Sequence, residues 1–114
     1  MTIKQIMELT NSSQRGNCVN EDLKFSHGFA SDLMSDVLRT NQSNMILITG
    51  LCNLQTIRTA EMADIKCIVL GRGKIATPDM VELAEECEIC LIESPYSMFR
   101  ICAELSNNGI KPLY

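Results

Sequence analysis

The chain has 114 residues, which fits one domain spanning 1–114, and a chain of that length buries roughly 65% of its unfolded surface in a single core. Its apolar content of 46% is too high for a disordered segment, and no apolar run approaches the ~20 residues needed to span a bilayer. A formal net charge of −4 with no basic run argues against the phosphate-backbone footprint of a DNA- or RNA-binding protein.

Aromatic residues make up only 4% and Trp is absent, so the core must be aliphatic, with Met and Cys as fillers. MTIKQIMELT has no basic stretch leading into an apolar block, so it does not read as a secretory signal, and a cytoplasmic location is the default. In that compartment the six cysteines are expected to stay reduced, without an intramolecular disulfide.

Thr2-x-x-Gln5 matches a capping box, and Ile3, Ile6, Met7 and Leu9 continue it as a helical stripe. The polar, turn-rich TNSSQRGN, residues 10 to 17, reads as a loop. KFSHGFA, residues 24 to 30, reads as a short strand. GFASDLMSDVL follows, with Leu33, Met34, Val37 and Leu38 at helical spacing and Ser31, Asp32, Ser35, Asp36 and Arg39 opposite. This predicts an amphipathic helix from about Ser31 to Arg39. Its leucines should face the core and its Ser/Asp face should serve as a cap and polar surface rather than a metal site.

A regular alternation comes next. MILIT (45–49), CIVLG (67–71) and ICLIE (89–93) are apolar throughout, as parallel strands covered on both faces must be. Between them, residues 54 to 63 suit a helix burying Leu54, Ile57 and Ala60. Thr77-Pro78-Asp79 supplies a cap hydroxyl, a first-turn Pro and a first-turn acid, and so starts a helix running to about Cys87. Ser94-Pro95 is expected to start the last helix, which ends near Asn108 with Gly109 after it. The result is an α/β fold, a three-layer sandwich around a central, mainly parallel sheet.

Ligands of open parallel sheets bind beyond the carboxyl ends of the strands. Here that edge carries Ser31 and Asp32, then Thr49, Gly50 and Asn53, then Gly71, Arg72, Gly73 and Lys74, then Glu93 and Ser94. All of these except Glu93 are taken as candidate ligand-binding residues. GRGK is not a phosphate loop: Ile68 stands where the first Gly should be, and Ile75 follows Lys74 in place of Ser or Thr. It could still contact an anion. CEIC, residues 87 to 90, has C-x-x-C spacing, but His27 is the only histidine and no second pair exists to complete a zinc site. Cys87 closes a helix rather than opening one, the wrong place for a redox thiolate. No catalytic set, metal site or cofactor motif emerges.

GFASDLMSDVL after Asp22, followed by a strand, a Gln/Asn-containing helix start and a Gly-rich turn, resembles the DRTGG domain family over nearly the whole chain. Its name motif would fall on Asp22 to Gly28. Asp22 and Gly28 match and Ser26 stands in for the Thr, but Leu23 occupies the Arg position and His27 that of the first Gly, so a role tied to that Arg is not carried over. The resemblance implies a fold similar to the N-terminal domain of HPr kinase/phosphorylase, without kinase activity, because the phosphate loop of those enzymes lies in another domain. It further implies a non-catalytic regulatory and dimerisation module, a homodimer acting beside a partner enzyme. The alternative is a sensor for a nucleotide or other phosphorylated small molecule.

Overall fold

The computed structural model describes residues 1–18 and 22–114. Helix α1 (Ile3–Thr10) opens with the capping box: the Gln5 N–H donates to the Thr2 hydroxyl, and the Thr2 N–H donates to Oε1 of Gln5 at 2.9 Å. Ile3 and Ile6 are buried, and the helix stops where Asn11 turns left-handed. Strand β1 (Ser13–Arg15) follows, where the polar sequence predicts a loop. Tertiary pairing overrides local preference here: Ser13, Gln14 and Arg15 lie antiparallel against Glu93, Ile92 and Leu91. A short polar strand of this kind suits a sheet edge, where it discourages pairing with another chain.

Strand β2 (His27–Ala30) is followed by α2 (Met34–Val37), which is a single turn rather than the predicted nine residues. Leu33 is still extended, at φ −94° and ψ 105°. The expectation that Leu33 and Leu38 face the core is therefore corrected. Met34 and Val37 are buried at 5% and 0% exposure, while Leu33 and Leu38 are 57% and 48% exposed. One turn can aim only the i, i+3 pair at the sheet.

The rest runs as β3 (Met45–Thr49), α3 (Leu54–Met62), β4 (Cys67–Leu70), α4 (Pro78–Glu86), β5 (Cys90–Glu93), α5 (Met98–Asn107) and β6 (Lys111–Pro112). Asn53, Thr77 and Ser97 each cap the following helix through a side-chain oxygen. Helix α5 thus starts three residues after the predicted Ser94, and Gly109 adopts φ +105° beyond its end. In α3, Ile57 and Ala60 are buried as expected, whereas Leu54 lies at the surface.

Among the described residues these strands form one sheet in the order β1-β5-β4-β3-β2-β6, parallel throughout except for β1. Alternate strand residues feed two cores. Met45, Leu47, Ile68, Leu70 and Leu91 pack with residues of α2, α3 and α4 on one face. Ile46, Ile48, Cys67, Val69 and Ile92 pack with residues of α1 and α5 on the other. The three-layer α/β sandwich read from the sequence is the observed architecture.

Cys18 and Cys90 are joined by a disulfide, which corrects the expectation that every thiol is free. The turn after β1 lays Cys18 over the start of β5, with Cα atoms 4.8 Å apart, inside the range a disulfide spans. Cys90, singled out in the sequence for its spacing from Cys87, finds its partner 72 positions away.

Candidate functional site

Strands β2, β3, β4 and β5 run in the same direction, so their carboxyl ends share one edge of the sheet. The Ser31 N–H donates to the Ile48 carbonyl, the Gly71 N–H to that of Thr49, and the Ser94 N–H to that of Leu70. These bonds place the predicted residues side by side.

Asp32 forms the centre. Its Oδ1 accepts the Gly50 N–H at 2.7 Å and the Thr49 hydroxyl at 2.9 Å. The buried Thr49 hydroxyl in turn accepts the Leu51 N–H at 3.1 Å. Arg72 closes the arrangement: Nη2 lies 3.8 Å from Oδ2 of Asp32 and donates to the Gly50 carbonyl at 3.4 Å. Its direction is set by the turn after β4. Arg72 and Gly73 both take left-handed φ, 62° and 71°. Their N–H groups donate to the Tyr96 and Ser94 carbonyls, tying this turn to the one after β5. The side chain then lies back across Gly50, where a Cβ would meet the guanidinium within 2.5–2.8 Å. A side chain at 50 would displace the guanidinium from this position.

The Gly50 N–H, foremost, holds the Asp32 carboxyl below its ordinary value, with the Thr49 hydroxyl and the Arg72 charge adding to it against partial burial. Asp32 is thus an anion here, not an acid.

The other candidates divide. Ser31 Oγ accepts the Leu33 N–H at 3.0 Å and shapes the approach to α2. Asn53 Oδ1 accepts the Thr56 N–H at 3.1 Å and is occupied as a helix cap. Gly71 is buried against Met98 and Ile101 and serves the turn, while Lys74 is exposed next to it. Ser94 is turned away from the group. It is buried, donates to the Thr10 carbonyl at 2.6 Å and accepts the Tyr96 N–H at 3.1 Å, on the α1 side of the sheet.

A second cluster on the edge includes a residue the sequence did not point to. Arg15 Nη1 donates to Oε2 of Glu93 at 2.7 Å and to the Ala76 carbonyl at 3.1 Å, and the same carboxylate oxygen accepts the Ala76 N–H at 2.7 Å. Arg15 arrives there only because β1 pairs with β5, and its own stretch of sequence carries no sign of this. Cys52 lies nearby, its thiol donating to the Ile75 carbonyl. Burial, then the Glu93 charge, push it above its ordinary value, so it is not a thiolate nucleophile.

Three clefts lie elsewhere. One of about 750 Å³ is bounded by Thr2, Lys4, Met7, Gln14 and Asp22. One of about 420 Å³ lies between Leu38, Gln42, Met62 and Asp64, and one of about 230 Å³ between Gly28, Ile48, Leu105 and Ile110. None of the three includes the Asp32–Arg72 pair. Among the described residues, no group of three or more His, Cys, Asp or Glu side chains is gathered as a metal site would require, and no helix is long and apolar enough to cross a membrane.

No family model and no curated protein matches the chain. Among solved structures, it is similar to the CBS and DRTGG domains of the regulatory region of Clostridium perfringens pyrophosphatase, complexed with the activator diadenosine tetraphosphate. The TM-score is 0.78 over 91% of this chain, at 11% identity. The fold is DRTGG-like. The chain spans 45% of the length of that structure, and at this identity the likeness is one of fold.

Proposed function

We propose that this chain is a non-catalytic regulatory and dimerisation module that acts in the cytoplasm on a partner enzyme. One observation carries this reading: the polar groups at the carboxyl edge are committed to internal hydrogen bonds. Asp32 serves Gly50 and Thr49, Asn53 caps α3, Glu93 binds Arg15 and Ala76, and Ser94 binds Thr10. A nucleophile or general base needs a lone pair free to face substrate, and Oδ1 of Asp32, Oε2 of Glu93 and Oδ1 of Asn53 each already accept two protein donors. The exposed side chains include charged Asp32, Arg72 and Lys74 and, flanking α2, the apolar Leu33 and Leu38. Surface leucines beside a short helix suit a subunit contact. Sedimentation equilibrium should give twice the monomer mass of 12.7 kDa, and Leu33→Asp or Leu38→Asp should return the monomer. A monomer at all concentrations up to ~100 μM would remove the dimerisation half of the proposal.

A second reading, a sensor for a nucleotide or other phosphorylated anion, is supported by Arg72 and Lys74 in a glycine-rich turn at the strand ends. The similar regulatory region is complexed with a nucleotide activator, which points the same way. A thermal-shift series with ATP and diadenosine tetraphosphate tests it. Stabilisation by several degrees that Arg72→Ala abolishes supports the sensor, and no shift with either compound removes it.

A further inference from the structure

We propose that Asp32 is a built-in occupant of an anion cradle, and that a phosphate group of the ligand acts by expelling it. The proposal rests on the sensor reading of the same edge. The Gly50 N–H and Thr49 hydroxyl both converge on one oxygen of Asp32, and the Arg72 guanidinium faces the other. An N–H, a hydroxyl and a guanidinium arranged around the two oxygens of one carboxylate are the donors that would take a phosphate group. Both Asp32 and Arg72 are half-exposed. The cradle is therefore reachable from solvent but already filled. Each donor hydrogen serves one acceptor well, so a phosphate oxygen can take the Gly50 N–H only when Oδ1 leaves.

Expulsion has a structural consequence. Asp32 stands between the end of β2 and the one-turn α2, and its carboxylate ties this segment to β3. Below it the segment is held by Met34 and Val37. When the carboxylate leaves, the stretch loses the side-chain bonds of Asp32 but keeps the Ser31 N–H bond to the Ile48 carbonyl, and the exposed Leu33, beyond that anchor, moves with Asp32. A phosphate at the cradle is thereby coupled to the surface proposed for subunit contact, which is how a sensor would also be a regulator.

Calorimetric titration with inorganic pyrophosphate and with ATP tests this on the intact chain and four variants. Asp32→Ala should bind at least about tenfold more tightly than wild type, because the ligand no longer displaces a charge-assisted pair of hydrogen bonds. Asp32→Asn, which keeps the shape and loses the charge, should fall between them, and it serves if the alanine variant is poorly folded. Asp36→Asn removes a charge four residues away, outside the cradle, and should stay within about twofold of wild type. The double variant Asp32→Ala/Arg72→Ala should lose the gain. Tightening for pyrophosphate and ATP alike assigns the cradle to the phosphate group, and tightening for ATP alone assigns it to a nucleotide. Arg72-dependent binding by wild type that Asp32→Ala leaves unchanged, or that Asp36→Asn increases equally, overturns the occupant proposal while the sensor reading stands. Failure of every form to bind either probe at millimolar concentration overturns both.

Discussion

Reduction of the Cys18–Cys90 disulfide should remove a large share of the protein's stability. The bond joins residues 72 positions apart. A cross-link of that span restricts the unfolded chain, and the loop-entropy relation gives roughly 4 kcal/mol at 25 °C. Domains of this size have about 5–15 kcal/mol in total, so reduction should leave the fold marginal rather than abolish it. Both sulfurs lie in the core face shared with Ile3, Ile6 and Ile92, so a polar replacement would add a desolvation penalty of its own. Cys18→Ala is the cleaner variant. Urea unfolding should show the midpoint falling by roughly 2–3 M, on a slope near 1.5 kcal/mol per molar, for wild type in reductant and for Cys18→Ala alike. A thiol titration of the unfolded, unreduced protein should count only Cys52, Cys67, Cys87 and Cys102. Six titratable thiols, or a midpoint that reductant does not move, would refute the reasoning. They would also fit the proposed cytoplasmic location, where such a bond does not normally persist.

Three further outcomes follow from particular residues. Met34→Ala should cost roughly 2–5 kcal/mol in the same urea assay and Leu38→Ala under about 1, and equal costs would mean α2 extends as its spacing suggests. Folding lowers the Asp32 carboxyl pKa, so its contribution is present above the ordinary value of 3.8 and is lost as pH falls through the folded-state value. Acid unfolding of wild type below about pH 4 should therefore be steeper than that of Asp32→Asn. Cys67 is the reverse case: burial pushes its thiol up from 9.0 to about 12, so its contribution holds below pH 9 and fades as pH rises towards 12. Cys67→Ala, though less stable at neutral pH, should show a shallower alkaline loss, and a parallel loss would place that thiol in contact with water.

The three central strands were legible because burial on both faces forces continuous apolar runs, and MILIT, CIVL and CLIE have no other sensible place. Helices α1 and α4 were legible through their first turns, where Thr2 with Gln5 and Thr77 with Pro78 satisfy backbone groups by local chemistry. Strand β1 was not legible, because nothing in Ser13–Arg15 favours a strand until β5 lies beside it. Helix α2 misled for a related reason. Its apolar spacing is helical from Leu33, but the bonds from Gly50 and Thr49 to Asp32 hold the chain extended one residue too long. At the site, strand ends brought Asp32, Thr49, Gly50 and Arg72 together as parallel topology demands. Ser94 could have been placed correctly by counting. Leu91 and Ile92 face opposite cores, so Glu93 and Ser94 must part in the same way, Glu93 towards Ala76 and Ser94 towards α1.

The bonds along the carboxyl edge are unevenly strong, and that unevenness bears on where regulation can act. On the β5 side, Glu93 holds two bonds of 2.7 Å, β1 pairs along its length, and the Cys18–Cys90 bond lies at the far end of the same strand. On the β2 side, Asp32 also holds bonds of 2.7 and 2.9 Å, but Arg72 reaches Gly50 and Asp32 only at 3.4 and 3.8 Å, α2 is one turn, and β6 contributes two residues. Local opening free energy follows the density of buried contacts and short hydrogen bonds, so the β2 side opens first. A ligand can shift only an equilibrium whose states lie within a few kcal/mol of each other. A signal entering at Glu93 would have to break the strongest cluster on the edge. One entering at Asp32 need only exchange one anion for another, beside a helix held by two side chains and flanked by two exposed leucines.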